Sequence, residues 1–249
     1  MDTKVKIMKK INANNCNGML ESSKSLNIAT NPFMQNLSSF SAKELEMFLG
    51  QYCHFPRHII SILVSACYTM GYYKWNDVVL EIRENISSEL GDDYDDIAYK
   101  MPPHYSMLRM AIEEGFEMDI NDIQIQKATN FFVHSLDKYM NAPPANTAGA
   151  IYALEATAIN ELRIVCNITE YLFVQKNSIM PDLLKNFFEV HITDIEIKHR
   201  DRLFNVINQY IEDDTNAEEF YSGFKFTLDL MDKWWEDLYK EIKENMKDD

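Results

Sequence analysis

Chain breakers are scarce in this sequence, and they fall at intervals that suit long helices. Seven glycines and seven prolines punctuate 249 residues. Between them lie stretches rich in Leu, Ile, Met, Glu and Lys, which lose little side-chain freedom in a helix. No strand-like alternation of any length appears, and no repeat at a fixed period. Ser41-Ala42-Lys43-Glu44 has the capping-box pattern, and apolar periodicity runs from it to about Gln51 before His54-Phe55-Pro56-Arg57 breaks it. Arg57 to about Thr69 is almost wholly apolar, too short to span a bilayer and suited to a buried helix. Trp75–Leu90 predicts another helix, stopped by Gly91, and Asp92–Tyr99 is an acidic connection. Pro102-Pro103 launch a helix at His104 that ends near Gly115. Further helices are expected over Asn121–Asn141, Thr147–Phe173, Asp182–His199 with an onward run to Ile211, and Ala217–Lys247. The expectation is an all-α bundle of seven to eight helices. Residues 29–249 would form one domain behind a polar, Asn/Ser-rich loose arm at residues 1–28.

Composition narrows the function classes. A hydrophobic share of 46% suffices for a large core in one domain. The net charge of −15 argues against nucleic acid and anionic membrane as partners, since both require a basic face. Cys16, Cys53, Cys67 and Cys166 form no CxxC pair, which suits free thiols in a reducing cytoplasm. No run of 18 apolar residues predicts a membrane span. Lys4, Lys6, Lys9 and Lys10 precede no apolar segment of the secretory kind.

Chemistry concentrates in four stations. The densest is the run from Asn186 to His199, which places His191 and His199 among Glu189, Asp194 and Glu196. Imidazole and carboxylate together form the ligand set for iron, manganese or zinc. A lone histidine on an apolar helix is usually a satisfied core residue; two with acids between them are a less common accident. Glu155 lies in the apolar stretch Ile151-Tyr152-Ala153-Leu154-Glu155-Ala156, where an unpaired carboxylate is costly. Glu89 closes one expected helix and His104 opens the next, and each is taken alone more simply as a helix-end residue. Four helices each sending a carboxylate or imidazole inward is the way bundle di-metal sites are built. His54 and His58 flank Pro56, and His134 has no second ligand near it in sequence, so core or rim roles are the default for these three.

The order of these stations resembles the heme-oxygenase-like diiron oxidases, a branch of the heme oxygenase and thiaminase-type helical fold. The resemblance covers about residues 31 to 245. Asn31-Pro32-Phe33, Gln51-Tyr52 and Phe55-Pro56 are similar to the family's first helix and its turn. Asn85-Ile86-Ser87-Ser88-Glu89-Leu90-Gly91 resembles its Asn-Ile-x-x-Glu-x-Gly helix end. His104 with Leu108 and Gly115 resembles the next helix, Tyr152-Ala153-Leu154-Glu155 the inward glutamate station, and His191 with His199 the paired histidines of the last ligand helix. The resemblance implies two non-heme irons, O2 as co-substrate, an external reductant and oxidation of a small molecule. It implies Glu89, His104, Glu155, His191 and His199 as metal ligands, and a possible homodimer. An amino acid or amino-acid derivative is the expected substrate, by desaturation, C–C cleavage, N-oxidation or nitrile formation. A fatty-acid decarboxylase of the same family is the alternative. Arg163 is expected, from its residue type, to hold a substrate carboxylate.

One departure matters. The family's last helix reads His-x-x-x-Asp-x-x-His, whereas here Ile stands at 195 and the two histidines are eight apart. At about 100° per residue the family spacing confines its three groups to about 60° of arc, while His191, Glu196 and His199 on a regular helix spread over about 140°. A one-residue π-bulge between His191 and Glu196 restores the family arc and makes Glu196 the acid in register. Asp194 takes that role if the helix stays regular. The rival readings are a metal-free thiaminase-type hydrolase using Cys166 or Cys67, a heme oxygenase using His54, and a non-catalytic interaction protein.

Overall fold

The computed structural model describes residues 11–92 and 102–245, with the side chains of Asp194 and Asn245 outside the description. Most of the expected acidic connection after Gly91 falls at residues 93–101, outside the described residues. Among the described residues no strand occurs. The helices run, in order, α1 (Ala13–Ser22), α2 (Pro32–Gln35), α3 (Ala42–His54), α4 (Ile59–Tyr72), α5 (Asn76–Glu89), α6 (His104–Phe116), α7 (Lys127–Tyr139), α8 (Pro144–Gln175), α9 (Asp182–Val190), α10 (Glu196–Tyr210) and α11 (Asp214–Asn245). A π-helical segment, His191–Ile195, joins α9 to α10 without interrupting the rod. All eight expected helices are present, α10 being the onward run after α9, and α1 and the short α2 are further ones.

Local sequence sets the ends of these rods. The Ser41–Glu44 capping box starts α3: the Ser41 amide donates to Glu44 Oε2 at 2.6 Å and the Glu44 amide donates to Ser41 Oγ at 3.3 Å. Pro144 occupies the first turn of α8, where its missing N–H is no loss. Gly91 ends α5 with φ 84°, and the Asp92 and Gly91 amides return to the Ser87 and Ser88 carbonyls at 2.9 and 2.8 Å. That is a Schellman motif, which needs a residue at positive φ. It fixes where Glu89, the last residue of α5, projects.

Two long helices form the spine. α8 and α11, 32 residues each, pack along one another. Gly149 on α8 and Gly223 on α11 allow that approach: a Cβ at Gly149 would strike the Phe220 carbonyl, and one at Gly223 the Asn146 carbonyl. Trp234 and Trp235 of α11 lie fully inside, among Phe33, Phe48 and Phe132. Trp234 Nε1 donates to Thr129 Oγ1 at 3.2 Å, so burying this indole leaves no polar group unsatisfied.

Two expectations are corrected. The loose arm foreseen at residues 1–28 is, from residue 11 on, a docked helix with Cys16 inside the core. Ser23 Oγ and Ser25 Oγ both donate to Asp232 Oδ1 at 2.6 Å, tying the chain after α1 to α11. The helix expected from Asn121 begins only at Lys127. Before it, the backbone of Ile123, Gln124 and Gln126 is held by α3 side chains: Gln51 Nε2 donates to the Gln124 carbonyl at 2.7 Å, the Gln126 amide donates to Gln51 Oε1 at 2.8 Å, and His54 Nε2 reaches the Ile123 carbonyl at 2.8 Å.

Candidate metal centre

Helices α5, α6, α8 and the α9–α10 rod bring six of the expected residues together, five of them buried. His104, Glu155, His191, Glu196 and His199 are each 9% exposed or less. Glu89 Oε1 stands 3.6 Å from His104 Nδ1, and Glu155 Oε2 stands 3.7 Å from His199 Nδ1. The His104 and His191 rings meet edge to face with centroids 4.5 Å apart. One donor atom each from Glu155, Glu196 and His199 falls within 4.8 Å of the other two.

The π-helical segment makes that last convergence possible. Glu196 and His199 stand five and eight residues beyond His191, a spacing that a regular helix would fan apart. The wider π turn over His191–Ile195 absorbs one residue and brings both back to the face that His191 occupies. Glu196 is therefore the fourth-helix acid seen in the cluster. The side chain of Asp194, the alternative, lies outside the described residues.

Burial and mutual repulsion dominate the electrostatics of the cluster. Burial and the neighbouring Glu89 push the Glu155 carboxyl up to about 8, although Asn85 Nδ2 donates to its Oε1 at 3.0 Å. Burial, then Glu155 and Glu89, hold Glu196 well above the usual carboxylate range. His191 is pushed down to about 4 by burial and by His104, so its ring is neutral at pH 7. Its Nδ1 lies 2.7 Å from the Phe187 carbonyl, an acceptor, so the ring proton sits on Nδ1. Its Nε2 lone pair is then buried with no hydrogen-bonding partner among the described residues.

The centre borders a small cavity of ≈ 90 Å³. Glu89, His104, Glu155 and Glu196 line one side, and Phe55, Ile59, Leu108, Leu154, Leu162 and Phe187 give it apolar walls. Two lining residues escaped the sequence reading. Tyr52 was noted only as part of a motif. Glu161, one and two-thirds turns beyond Glu155 on α8, is 2% exposed and pushed up to about 8 by burial. Its position beside Leu162, Ile164 and Val165 was the available signal. Asn85, quoted in the helix-end motif without a role, turns out to orient Glu155.

Arg163 is a correction. It is exposed and lines a separate outward groove with Asn160 and Arg200. It stands two residues past Glu161, about 200° further round α8, so it faces away from the cavity. The rivals' residues are elsewhere too. Cys67 and Cys166 are absent from the cavity wall, and burial raises both thiols, Cys166 to about 11. His54 is engaged with the Ile123 carbonyl, and the exposed His134 reaches the Asn130 carbonyl at 3.0 Å.

Among the described residues an all-helical bundle gathers imidazoles and carboxylates from four rods into a candidate metal centre, and its likeness to a solved heme oxygenase-like domain makes the fold heme-oxygenase-like. The chain belongs to DUF3865, a domain family of unknown function with a solved structure, whose model matches residues 6–241. A CADD-like protein of unknown function from Nostoc punctiforme PCC 73102 superposes with a TM-score of 0.84 at 27% identity, over 92% of this chain and 96% of that one. A TenA homolog from Pseudomonas syringae pv. tomato DC3000 has a TM-score of 0.66 at 13% identity, over 92% of each chain. A domain of unknown function with a heme oxygenase-like fold, from Shewanella denitrificans OS217, has 0.63 at 14%, over 93% of this chain and 90% of that one. These last two establish likeness of fold alone. In sequence, the chain is 24% identical over 164 residues to 4-chloro-allylglycine synthase of Streptantibioticus cattleyicolor, covering 64% of this chain. The match spans 57% of that protein's length. Among the described residues no helix is long and apolar enough to cross a membrane.

Proposed function

We infer that this protein is a non-heme diiron, O2-dependent oxidase or oxygenase acting on a small amino acid or amino-acid derivative. The observation that carries the reading is His191. Its Nδ1–H is tied to the Phe187 carbonyl and its Nε2 lone pair is buried and bare. A backbone carbonyl on one ring nitrogen and an open lone pair on the other is the usual preparation of a metal-binding imidazole. The donor set fits iron: Glu89, His104, Glu155, His191, Glu196 and His199 offer mixed carboxylate and imidazole ligation, with Asp194 the alternative acid. Bound iron would supply one-electron chemistry and activation of O2, with an external reductant restoring the ferrous state.

The chain's own residues then have definite tasks. The carboxylates would balance the cationic charge, which would offset the burial that raises Glu155 and Glu196 above the usual carboxylate range. Asn85 holds Glu155 in one orientation. Phe55, Ile59, Leu108 and Phe187 keep bulk water from the reacting face. A wall shared by acids and apolar side chains suits a small molecule with a polar end better than a plain acyl chain. The likeness to a synthase named for an amino-acid product supports the same substrate class. Free thiols at all four cysteines agree with work in a reducing cytoplasm.

The test is anaerobic loading with Fe(II), then O2 with a panel of amino acids and fatty acids. About two irons per chain are expected, with O2 uptake accelerated by an amino acid, and Glu155→Ala should retain less than half the iron. Protein that takes up no iron, or a Glu155→Ala variant with full iron content, refutes the reading.

A further inference from the structure

Glu161 is the acid in the cavity wall that the metal-holding set leaves over. Its side chain is 2% exposed, and its Oε1 has no hydrogen-bonding partner among the described residues. Glu89, Glu155 and Glu196 share the wall with it, and among the described residues no Lys or Arg does. Six residues beyond Glu155, Glu161 sits about 9 Å further along α8, with Phe55, Ile59 and Leu162 also on that wall. Burying a carboxylate without a countercharge is costly. A protein tolerates that cost at a binding site, where the ligand brings the missing charge.

We propose that Glu161 receives the protonated amine of the substrate, which makes the substrate class a small ammonium-bearing molecule. The proposal rests on the oxidase reading for where the reacting end of that molecule lies, and it adds the group that holds the other end. The carboxylate accepts N⁺–H hydrogen bonds from the ammonium in a water-poor cavity, where such bonds are strong. The molecule is thereby oriented with its carbon chain against the apolar wall and its reactive carbon toward the His104–Glu155 side. A plain fatty acid has no group for Glu161 and would leave it buried and unpaired.

The test is calorimetric titration of the Fe(II)-loaded protein under argon with pentylamine, L-norvaline and valerate, which share one chain length. The titrations are repeated with Glu161→Gln and with metal-free protein. Both amines should bind the native protein, and Glu161→Gln should weaken each by about tenfold or more while leaving valerate unchanged. Iron content of the variant should equal that of the native chain. If the Gln variant does not fold, Glu161→Asp, which withdraws the charge by one methylene, should weaken pentylamine and spare valerate. The proposal fails if neither amine binds, if the substitution affects valerate as much as pentylamine, or if Glu161→Gln loses iron, which would make Glu161 a metal ligand. Amine selectivity in protein that takes up no iron would sink the oxidase reading and keep this one. Iron uptake with no amine selectivity would do the reverse.

Discussion

Stripped of metal, the protein should become less stable as the pH rises from 6.5 to 8, and Fe(II) should remove the part of the effect that Glu155 carries. Glu155 and Glu161 carry their protons up to about 8 in the folded state, against an ordinary 4.5. Between those values the folded chain binds more protons than the unfolded one, so stability falls with rising pH. His191 acts in the opposite sense, because its folded value of about 4 lies below its ordinary 6.5. Stability therefore rises with pH between those two values on its account, and above 6.5 the carboxyls act without that opposition. From 6.5 to 8 each carboxyl held at about 8 loses roughly 2 kcal/mol at about 1.4 kcal/mol per pH unit. Two of them give roughly 4 kcal/mol, against a typical total of about 5–15 kcal/mol for a folded domain, and Glu196, also held above the usual range, acts in the same sense. Water entering the cavity lowers the realised loss below that sum. Urea unfolding of metal-free protein at several pH values in this window measures it directly. Fe(II) at about a hundred times its dissociation constant should restore roughly 2.7 kcal/mol and make the profile shallower, because the cation lets Glu155 ionise while the share of Glu161, outside the metal-holding set, stays. Glu161→Gln should remove its own share of the slope. A midpoint that stays level from 6.5 to 8 without metal, or a decline that Fe(II) leaves intact, would refute the account of the cluster as a set of acids awaiting a cation.

The remaining predictions concern ligand identity and the framework. Glu196→Gln should cut bound iron by more than half while Asp194→Asn leaves it near the native content, as read by metal analysis; the opposite pattern would return the role to Asp194. Gly149→Ala should lower stability by about 2–4 kcal/mol in urea melts, because the new methyl meets the Phe220 backbone and α8 must move off α11. Gly91→Ala forces a side chain into φ 84° and should cost about 1–2 kcal/mol, with some loss of iron as the end of α5 that carries Glu89 loosens.

The helices were legible because their boundaries are local. A capping box at Ser41 and a stop at Gly91 act over four or five residues, and the structure realises both. What the sequence hid depends on contacts distant along the chain. Residues 123–126 look helical from their own composition, yet Gln51 and His54 on α3 take their backbone groups and keep them out of the helix. The docking of α1 rests on Asp232, more than 200 residues away, although Asn12, whose side chain accepts from the Asn14 amide at 2.9 Å, was a local capping signal within reach. Arg163 was chosen by residue type, and the phase of α8 turns it outward. Glu161 was passed over because one acid in a long helix is ordinarily solvated, and only packing reveals that this one is not.

The link between His191 and His199 shows how a metal site constrains sequence through geometry rather than through residue identity. Any helix that must present three donors to one point needs them inside a narrow arc, and a spacing of eight breaks that rule unless the backbone widens. The π segment widens it here, over the five residues His191–Ile195. Such a turn leaves weaker helical hydrogen bonding than an α turn, so it persists where something favours the register it creates. Among the described residues the register places Glu196 and His199 beside Glu155 and leaves His191 with a bare inward nitrogen. Deleting Ile195 would return the rod to α geometry with the spacing of seven. If the donors are what the widened turn serves, that shortened chain should keep its iron and gain helix stability; if the turn serves only packing, the deletion should unfold α10 and leave no metal-dependent signal to recover.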